Sequence, residues 1–388
     1  MNLKVSKNNL ITGLILVLLI FMSDSNIFYI IISLISVGIV FIEYNNKNFR
    51  RVFQKYFIYF FLPLIVIFIH ALISVIVKQE SFYLLRSISV FAVSMSEVIV
   101  GAYLYTHRNE KAINILFYAC VVRYIYGIVI AIGSVGIYTF LKEIVNLGSD
   151  VLMPWLEESD IGLTMGMFVF YYLFFEKKQK GRKGRAAISI LVFLLCYKRI
   201  AIAAVFAAIV YYLIAHKFKK YNKIFFLTCI LLTSACLLYV YLIKQGILIR
   251  LFYQYGINPM GRDNLYRYFD KYYDFKLLFL GQGNGFTSKL LTIGARNGTG
   301  VGNIVALHSD ILRAFIEYGF IGATIWYIYF SGYLPYKIGK KIGNEAALEF
   351  MTLTVYAYII YLTDNTTLYF IFQLTYMLMP LMINKEKT

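Results

Sequence analysis

A short series of ionisable residues stands in the second half of this 388-residue chain. Lys198 and Arg199 open a small-residue segment, CYKRIAIAAVFAA. Arg262 and Arg267 lie in GRDNLYRYFD, ahead of the glycine string LFLGQGNGF (278–286). His308, Asp310, Arg313 and Glu317 close the series in LHSDILRAFIEYGFIG (307–322). A guanidinium offers a planar fork of donors that matches phosphate oxygens two at a time. An imidazole titrates near neutrality and can take a proton from a hydroxyl. The series therefore holds the residue types needed to bind an anion and to move a proton.

Each member also has a plainer reading. In 262–279 the apolar residues Leu265, Phe269, Tyr272 and Tyr273 follow the i, i+4, i+7, i+8 pattern of an amphipathic helix. Arg267 falls on the opposite face beside Asp263, Asp270, Lys271 and Asp274, where it reads as a solvated charge. Arg262 is the anomaly, a cation in the middle of the apolar face, where an interfacial helix can present it to a lipid phosphate. The GxGxG string lacks the βαβ unit of a nucleotide fold, so its glycines are expected to turn the backbone tightly. Ser309 or Asp310 can cap the helix that follows, and His308 stands just ahead of it. Asp310, Arg313 and Glu317 share one helical face. Lys198 and Arg199 either mark a membrane boundary or point into a site. Glu97, Arg123 and His70 are the deep ionisable groups; the first two lie in successive apolar runs and could pair.

The elements that carry these residues follow from composition. The chain is 60% hydrophobic and only 15% charged, against roughly 25% charged for a soluble domain. That excludes a compact soluble enzyme, and disorder and collagen with it. Reading between charges gives twelve uncharged or nearly uncharged runs, from 8–23 to 365–384; 161–175, 186–197 and 350–363 are short. Such runs are helices rather than barrel strands. The expected fold is an all-α polytopic membrane protein with about 12 transmembrane helices. Spans 1–9 occupy 1–243, a large loop 244–308, and spans 10–12 the remainder, 309–388. With the N-terminus inside, 23 of the 38 Lys and Arg fall on cytoplasmic segments, six of them in EKKQKGRKGR (176–185). Short outside loops carry five, so both termini are expected in the cytoplasm. The basic run reads as a topology determinant touching anionic lipid, not a nucleic-acid patch. The four cysteines form no CxxC pair, which implies neither a disulfide framework nor a zinc site. Two outside connections stand apart: an acidic one, 142–160, with Trp155, and the long loop. Loops of that length are usually functional.

The order of motifs, a basic dipeptide at a short outside turn, then GRDNLYRYFD, LFLGQGNGF and LHSDILRAFIEYGFIG, resembles the O-antigen polymerase and ligase superfamily. Within it the chain is similar to the Wzy-type repeat-unit polymerases. The resemblance covers about 195–325. Lys198 stands where that family commonly has Ser, and Ser309 where it has Asn. The resemblance implies a GT-C-like glycosyltransferase in the bacterial inner membrane, with its site outside the cytoplasm. The implied substrates are oligosaccharide repeats on undecaprenyl diphosphate, as donor and acceptor, and the implied product is surface polysaccharide. Arg199 and Arg262 would clamp the diphosphate, and His308 would act as general base toward the acceptor hydroxyl. Arg313 would orient or bind phosphate, with Asp310 or Glu317 positioning it and Arg267 and Lys198 as further substrate contacts. No Asp-x-Asp motif occurs, so no metal and no cofactor are expected. Membrane lipids, a chain-length regulator and a flippase are the expected partners, and nucleic acid is not. A ligase acting on another acceptor, a lipid-linked oligosaccharide transporter and an envelope scaffold are the competing readings.

Overall fold

The computed structural model describes residues 7–382 apart from 23–24, 79–80, 110, 146–158, 177–178, 197, 260, 299–300, 302–303 and 305. The helices in chain order are α1 (Lys7–Phe21), α2 (Asn26–Glu43), α3 (Lys47–Lys78), α4 (Ser81–Arg108), α5 (Lys111–Val135) and α6 (Ile137–Val145). Next come α7 (Ser159–Phe170), α8 (Arg182–Leu195), α9 (Arg199–Phe218), α10 (Tyr221–Lys244), α11 (Ile247–Gln254) and α12 (Arg262–Asp270). The series ends with α13 (Phe286–Asn297), α14 (Asp310–Ile328), α15 (Leu334–Lys341), α16 (Asn344–Tyr361) and α17 (Phe370–Met382). No strand occurs among the described residues. The chain is an all-α polytopic membrane protein, and hydropathy is the reason. Leu84–Arg108, Lys111–Val135, Arg199–Phe218, Tyr221–Lys244 and Asp310–Lys341 are long and apolar enough to cross a bilayer. The 24 residues of α10 reach roughly 36 Å at about 1.5 Å each, more than the ~30 Å of hydrocarbon. Shorter apolar helices occupy Lys7–Phe21, Ile27–Glu43, Asp160–Phe175 and Phe370–Met379.

Some boundaries differ from the sequence reading. The apolar run 112–141 is not one helix, because the chain breaks at Gly136 (φ +81°) between α5 and α6. The amphipathic helix expected over 262–279 ends at Asp270, and Lys271 caps it. The long loop does carry the short helices expected of it, α11, α12 and α13. Most of the acidic connection, Trp155 included, lies outside the described residues, as does the side chain of His70.

The chain divides into two compact units. The first comprises Met1–Tyr56, Met95–Phe206 and Leu368–Thr388. Its interior is aromatic: Phe117 meets Phe168 at 5.5 Å and Tyr172 at 5.2 Å. Buried Arg123 pairs with Asp160 at 2.9 Å, so its charge is neutralised within the fold. Glu97 is buried as well. Part of the basic run is spent internally. Arg182 Nη1 donates to the Glu176 carbonyl (2.7 Å), and Arg185 Nη2 donates to Gln179 Oε1 (3.0 Å) while lying over the Tyr172 ring.

The second unit, Phe57–Ser94 and Ala207–Thr367, is organised by a break in α14. At Gly319 the backbone leaves the helix (φ 72°, ψ −177°). That frees the Phe320 N–H and the carbonyls of Ile316 and Glu317, which cannot stay unpaired away from water. The extended segment 279–283 takes them up. Phe320 N–H donates to the Phe279 carbonyl (2.9 Å), and Gln282 and Gly283 N–H donate to Ile316 (2.8 Å) and Glu317 (3.0 Å). Two glycines permit this approach: a Cβ on Gly319 would lie 2.2 Å from Phe279 O, and one on Gly281 2.5 Å from Glu317 O. The tight-turn reading of GQGNG therefore holds here. Two of its amides serve the broken helix and are not offered to a phosphate.

Candidate functional site

The second unit gathers Arg262, Asp310 and Arg313, with His308 beside them, around one polar connection, Tyr361–Thr367, between α16 and α17. α12 supplies the first part. Leu265, Tyr266 and Phe269 are buried and hold the helix down, which fixes Arg262 at its first turn. Arg262 Nη2 donates to the Thr363 carbonyl at 3.3 Å. Its Nε is buried with no hydrogen-bond partner among the described residues. Tyr239 of α10 donates to the Leu362 carbonyl (2.6 Å) and lies 2.8 Å from the Tyr266 hydroxyl. A phenol has one hydrogen, so Tyr266 is the donor of that second bond. Burial pushes the Tyr266 phenol up, which keeps the donor protonated.

The start of α14 supplies the second part. Ser309 is its N-cap, accepting from Leu312 N–H at 3.2 Å, and its hydroxyl donates to the Tyr361 carbonyl at 3.4 Å. Asp310 N–H donates to the Asp364 carbonyl at 3.1 Å. The Asp310 carboxylate, 1% exposed, accepts from Thr367 N–H (2.8 Å) and the Thr367 hydroxyl (2.5 Å), and it pairs with Arg313 Nη2 at 2.8 Å. Arg313 Nη2 also reaches the Thr367 hydroxyl. With 309 and 310 pinned in this way, His308 is exposed and takes a left-handed backbone, φ +53°. That conformation is uncommon for a side chain other than Gly, and such strain collects at functional positions.

The other members divide. Arg267 is exposed on α12, as its solvated reading required. Replacing Arg267 with alanine is therefore expected to leave thermal stability within about 0.5 kcal/mol of wild type, measured by unfolding in detergent. Glu317 is 1% exposed and holds the start of α13, accepting from Thr287 N–H (3.2 Å) and the Thr287 hydroxyl (2.6 Å). Arg199 is the exposed first residue of α9, and it and Lys198 belong to the first unit. Lys198 Cγ lies beside Gly162 of α7.

Sequence reasoning missed two features. The connection TDNTT (363–367) was divided between the last two apolar runs, 350–363 and 365–384, with only Asp364 between them. Yet Asp364, Asn365 and Thr366 are buried at 6%, 3% and 0% exposure. The available signal was a run of five polar residues between spans with no charge excess to fix topology. The second is Arg86 near the start of α4: its Cγ would lie 2.4 Å from a Cβ on Gly285, and Ser87 Oγ accepts from Asn284 Nδ2 at 3.3 Å. Arg86 also acts electrostatically on Tyr318. The site thus brings Arg262, Arg313 and buried hydroxyls to one polar connection, with a strained histidine just ahead of the helix start held there. Such groups can bind an anion beside a proton acceptor.

No curated protein matches the chain. Residues 185–327, which hold every member of the series but not the 361–367 connection, match the family model described as O-Antigen ligase. This segment is similar to that family, consistent with the Wzy and O-antigen ligase superfamily.

Proposed function

We propose that the protein is a polysaccharide repeat-unit polymerase of the GT-C type. On this reading it lies in the bacterial inner membrane with both termini in the cytoplasm, and its site opens on the other side. The reaction needs no metal. The growing glycan leaves undecaprenyl diphosphate for a sugar hydroxyl of an incoming lipid-linked repeat. The hydroxyl oxygen attacks the anomeric carbon, and the bond from that carbon to the phosphate oxygen breaks. The leaving diphosphate keeps the electron pair. His308 takes the hydroxyl proton, and Arg262 and Arg199 neutralise the diphosphate. Arg313 lends further positive charge, and Asp310 positions it. Lys198 and Arg267 are outer contacts for sugar or phosphate. The observation that carries this reading is the common anchor: Arg262 and the helix start behind His308 both hang from Tyr361–Thr367. A base and an anion clamp fixed to one frame meet the proximity demand of the transfer.

The family description favours a second reading, a ligase that delivers finished glycan to a different acceptor. Purified protein given lipid-linked repeats alone separates the two. A polymerase makes a ladder of lengths, whereas a ligase is silent until a second acceptor is added and then makes a single transfer. Movement of labelled substrate across the bilayer with no new glycosidic bond would overturn both.

Thr367 gives a sharper expectation. Its hydroxyl sits between Asp310 and Arg313, so Thr367→Val leaves buried Asp310 and half-buried Arg313 without it, a loss of about 1–3 kcal/mol. The expected result is a fall in kcat of roughly ten- to a hundred-fold with KM little changed. Thr367→Ser should restore most of the rate.

A further inference from the structure

Three leucines outside any spanning helix are among the most exposed apolar side chains of the chain. Leu277, Leu278 and Leu280 are 63%, 84% and 67% exposed. They flank Phe279, whose ring stacks on Phe315 at 5.8 Å, so this stretch has one anchored side chain and three that point away from the protein. The backbone beneath them is rigid. Phe279 O accepts from Phe320 N–H, and Gly281 packs against the break at Gly319. Below that break α14 presents Ile321, Ile325 and Ile328 at 50%, 41% and 44% exposure. Their i, i+4, i+7 spacing makes one stripe on a helix apolar enough to cross a bilayer. A stripe of that kind faces lipid. The leucines lie beside its start, where Phe279 O accepts from Phe320 N–H and Gly281 meets Gly319. Charges sit just upstream: exposed Lys276 pairs with Asp274 at 2.6 Å, and Lys271 lies over Tyr272 at 5.1 Å. Apolar residues bordered by lysine and tyrosine are the composition of an interfacial segment.

We propose that Leu277, Leu278 and Leu280 form a fixed wedge that inserts into the lipid leaflet bordering the long loop. The occupant of this surface is bilayer lipid, not a second copy of the chain or a protein partner. The consequence of the wedge rests on the polymerase reading. It holds the 271–285 segment, and with it α12 and Arg262, at the depth where the phosphates of a lipid-linked donor lie. The insertion itself can be tested without any catalysis.

The experiment places an environment-sensitive nitrobenzoxadiazole label on Leu278→Cys and, as comparator, on Asn264→Cys, an exposed position of α12. Both proteins are reconstituted in nanodiscs of phosphatidylethanolamine and phosphatidylglycerol. Wild type treated identically supplies the blank for labelling at half-buried Cys229, since Cys120, Cys196 and Cys236 are buried. Brominated phospholipid is expected to quench the label at 278 several-fold more than at 264, with aqueous iodide giving the reverse order. Iodide quenching at 278 equal to that at 264 overturns the proposal. Shielding of 278 from both quenchers also overturns it, because protein and not lipid would then cover the surface. Loss of polymerisation in another assay would sink the enzymatic reading and leave this result standing.

Discussion

Arg262→Ala is expected to abolish detectable chain growth on lipid-linked repeats in protein that still folds. Arg262 spends one guanidinium bond on the Thr363 carbonyl, at 3.3 Å. Its contribution to folding through that long bond is small, about 1 kcal/mol. The remainder of the fork has no acidic partner among the described ion pairs, unlike Arg313 and Arg123. A charge held in place and not neutralised by the fold suits charge that develops on a leaving diphosphate, and removing one such donor costs on the order of 100- to 1,000-fold in kcat. Arg262→Lys retains the charge but loses the fork, and should recover only a small part of the rate. His308→Ala should fall by a similar factor, about 100- to 10,000-fold for a lost general base. The measurement is single-turnover transfer of labelled repeat units by protein that is monodisperse in detergent. Wild-type chain formation by either variant would remove the assigned mechanism.

The second large effect is on folding. Gly319→Ala and Gly281→Ala should each sharply reduce the yield of monodisperse protein and lower the thermal midpoint of what remains. At Gly319 the backbone occupies φ 72°, ψ −177°, a region essentially closed to side chains at about 1–3 kcal/mol. The new methyl would also sit 2.2 Å from Phe279 O and 2.4 Å from Leu280 C. Those atoms are backbone held by three hydrogen bonds and have no rotamer through which to retreat. The joint that sets 279–283 against α14 must open, which strands the Ile316 and Glu317 carbonyls. A total cost above about 3 kcal/mol follows. Gly298→Ala is the control: it also has positive φ (+65°), but nothing lies within 4 Å of its Cβ, so only conformational strain of about 1–2 kcal/mol remains. Equal losses at 298 and 319 would show that the close approach is not what matters.

The membrane class of this protein and the residue types of its candidate site were legible in one dimension. Apolar runs longer than a bilayer is thick have few alternatives to helix, since each backbone polar group must find its partner within the same segment. The helical cap at Ser309, the exposed face bearing Arg267 and the turning role of the glycine string were equally local, set by spacing and by side chains a few residues apart. The length of α12 was not. Tyr272 and Tyr273 continue its apolar period, yet the helix stops at Asp270. There Lys244, from α10, bonds the Asp270 carbonyl (2.6 Å) and carboxylate (3.1 Å), a contact no window on 262–279 contains.

Partnership was decided only in three dimensions. Spacing placed Asp310, Arg313 and Glu317 on one face, which left open which acid serves the arginine. The fold gives Arg313 to Asp310 and turns Glu317 to Thr287. Thr367 stands 57 residues from Asp310 and the carbonyl of Thr363 stands 101 residues from Arg262, and no periodicity reaches that far. The sequence by itself therefore determined that the chain is a helical membrane protein bearing arginines and a histidine suited to phosphate and proton chemistry. Only the tertiary structure decided that Arg262, Asp310 and Arg313 hang from the buried polar connection between α16 and α17. Covalent spacing controls the contacts along one helix, whereas a polar group buried among several helices takes whichever partner the packing brings within about 3 Å.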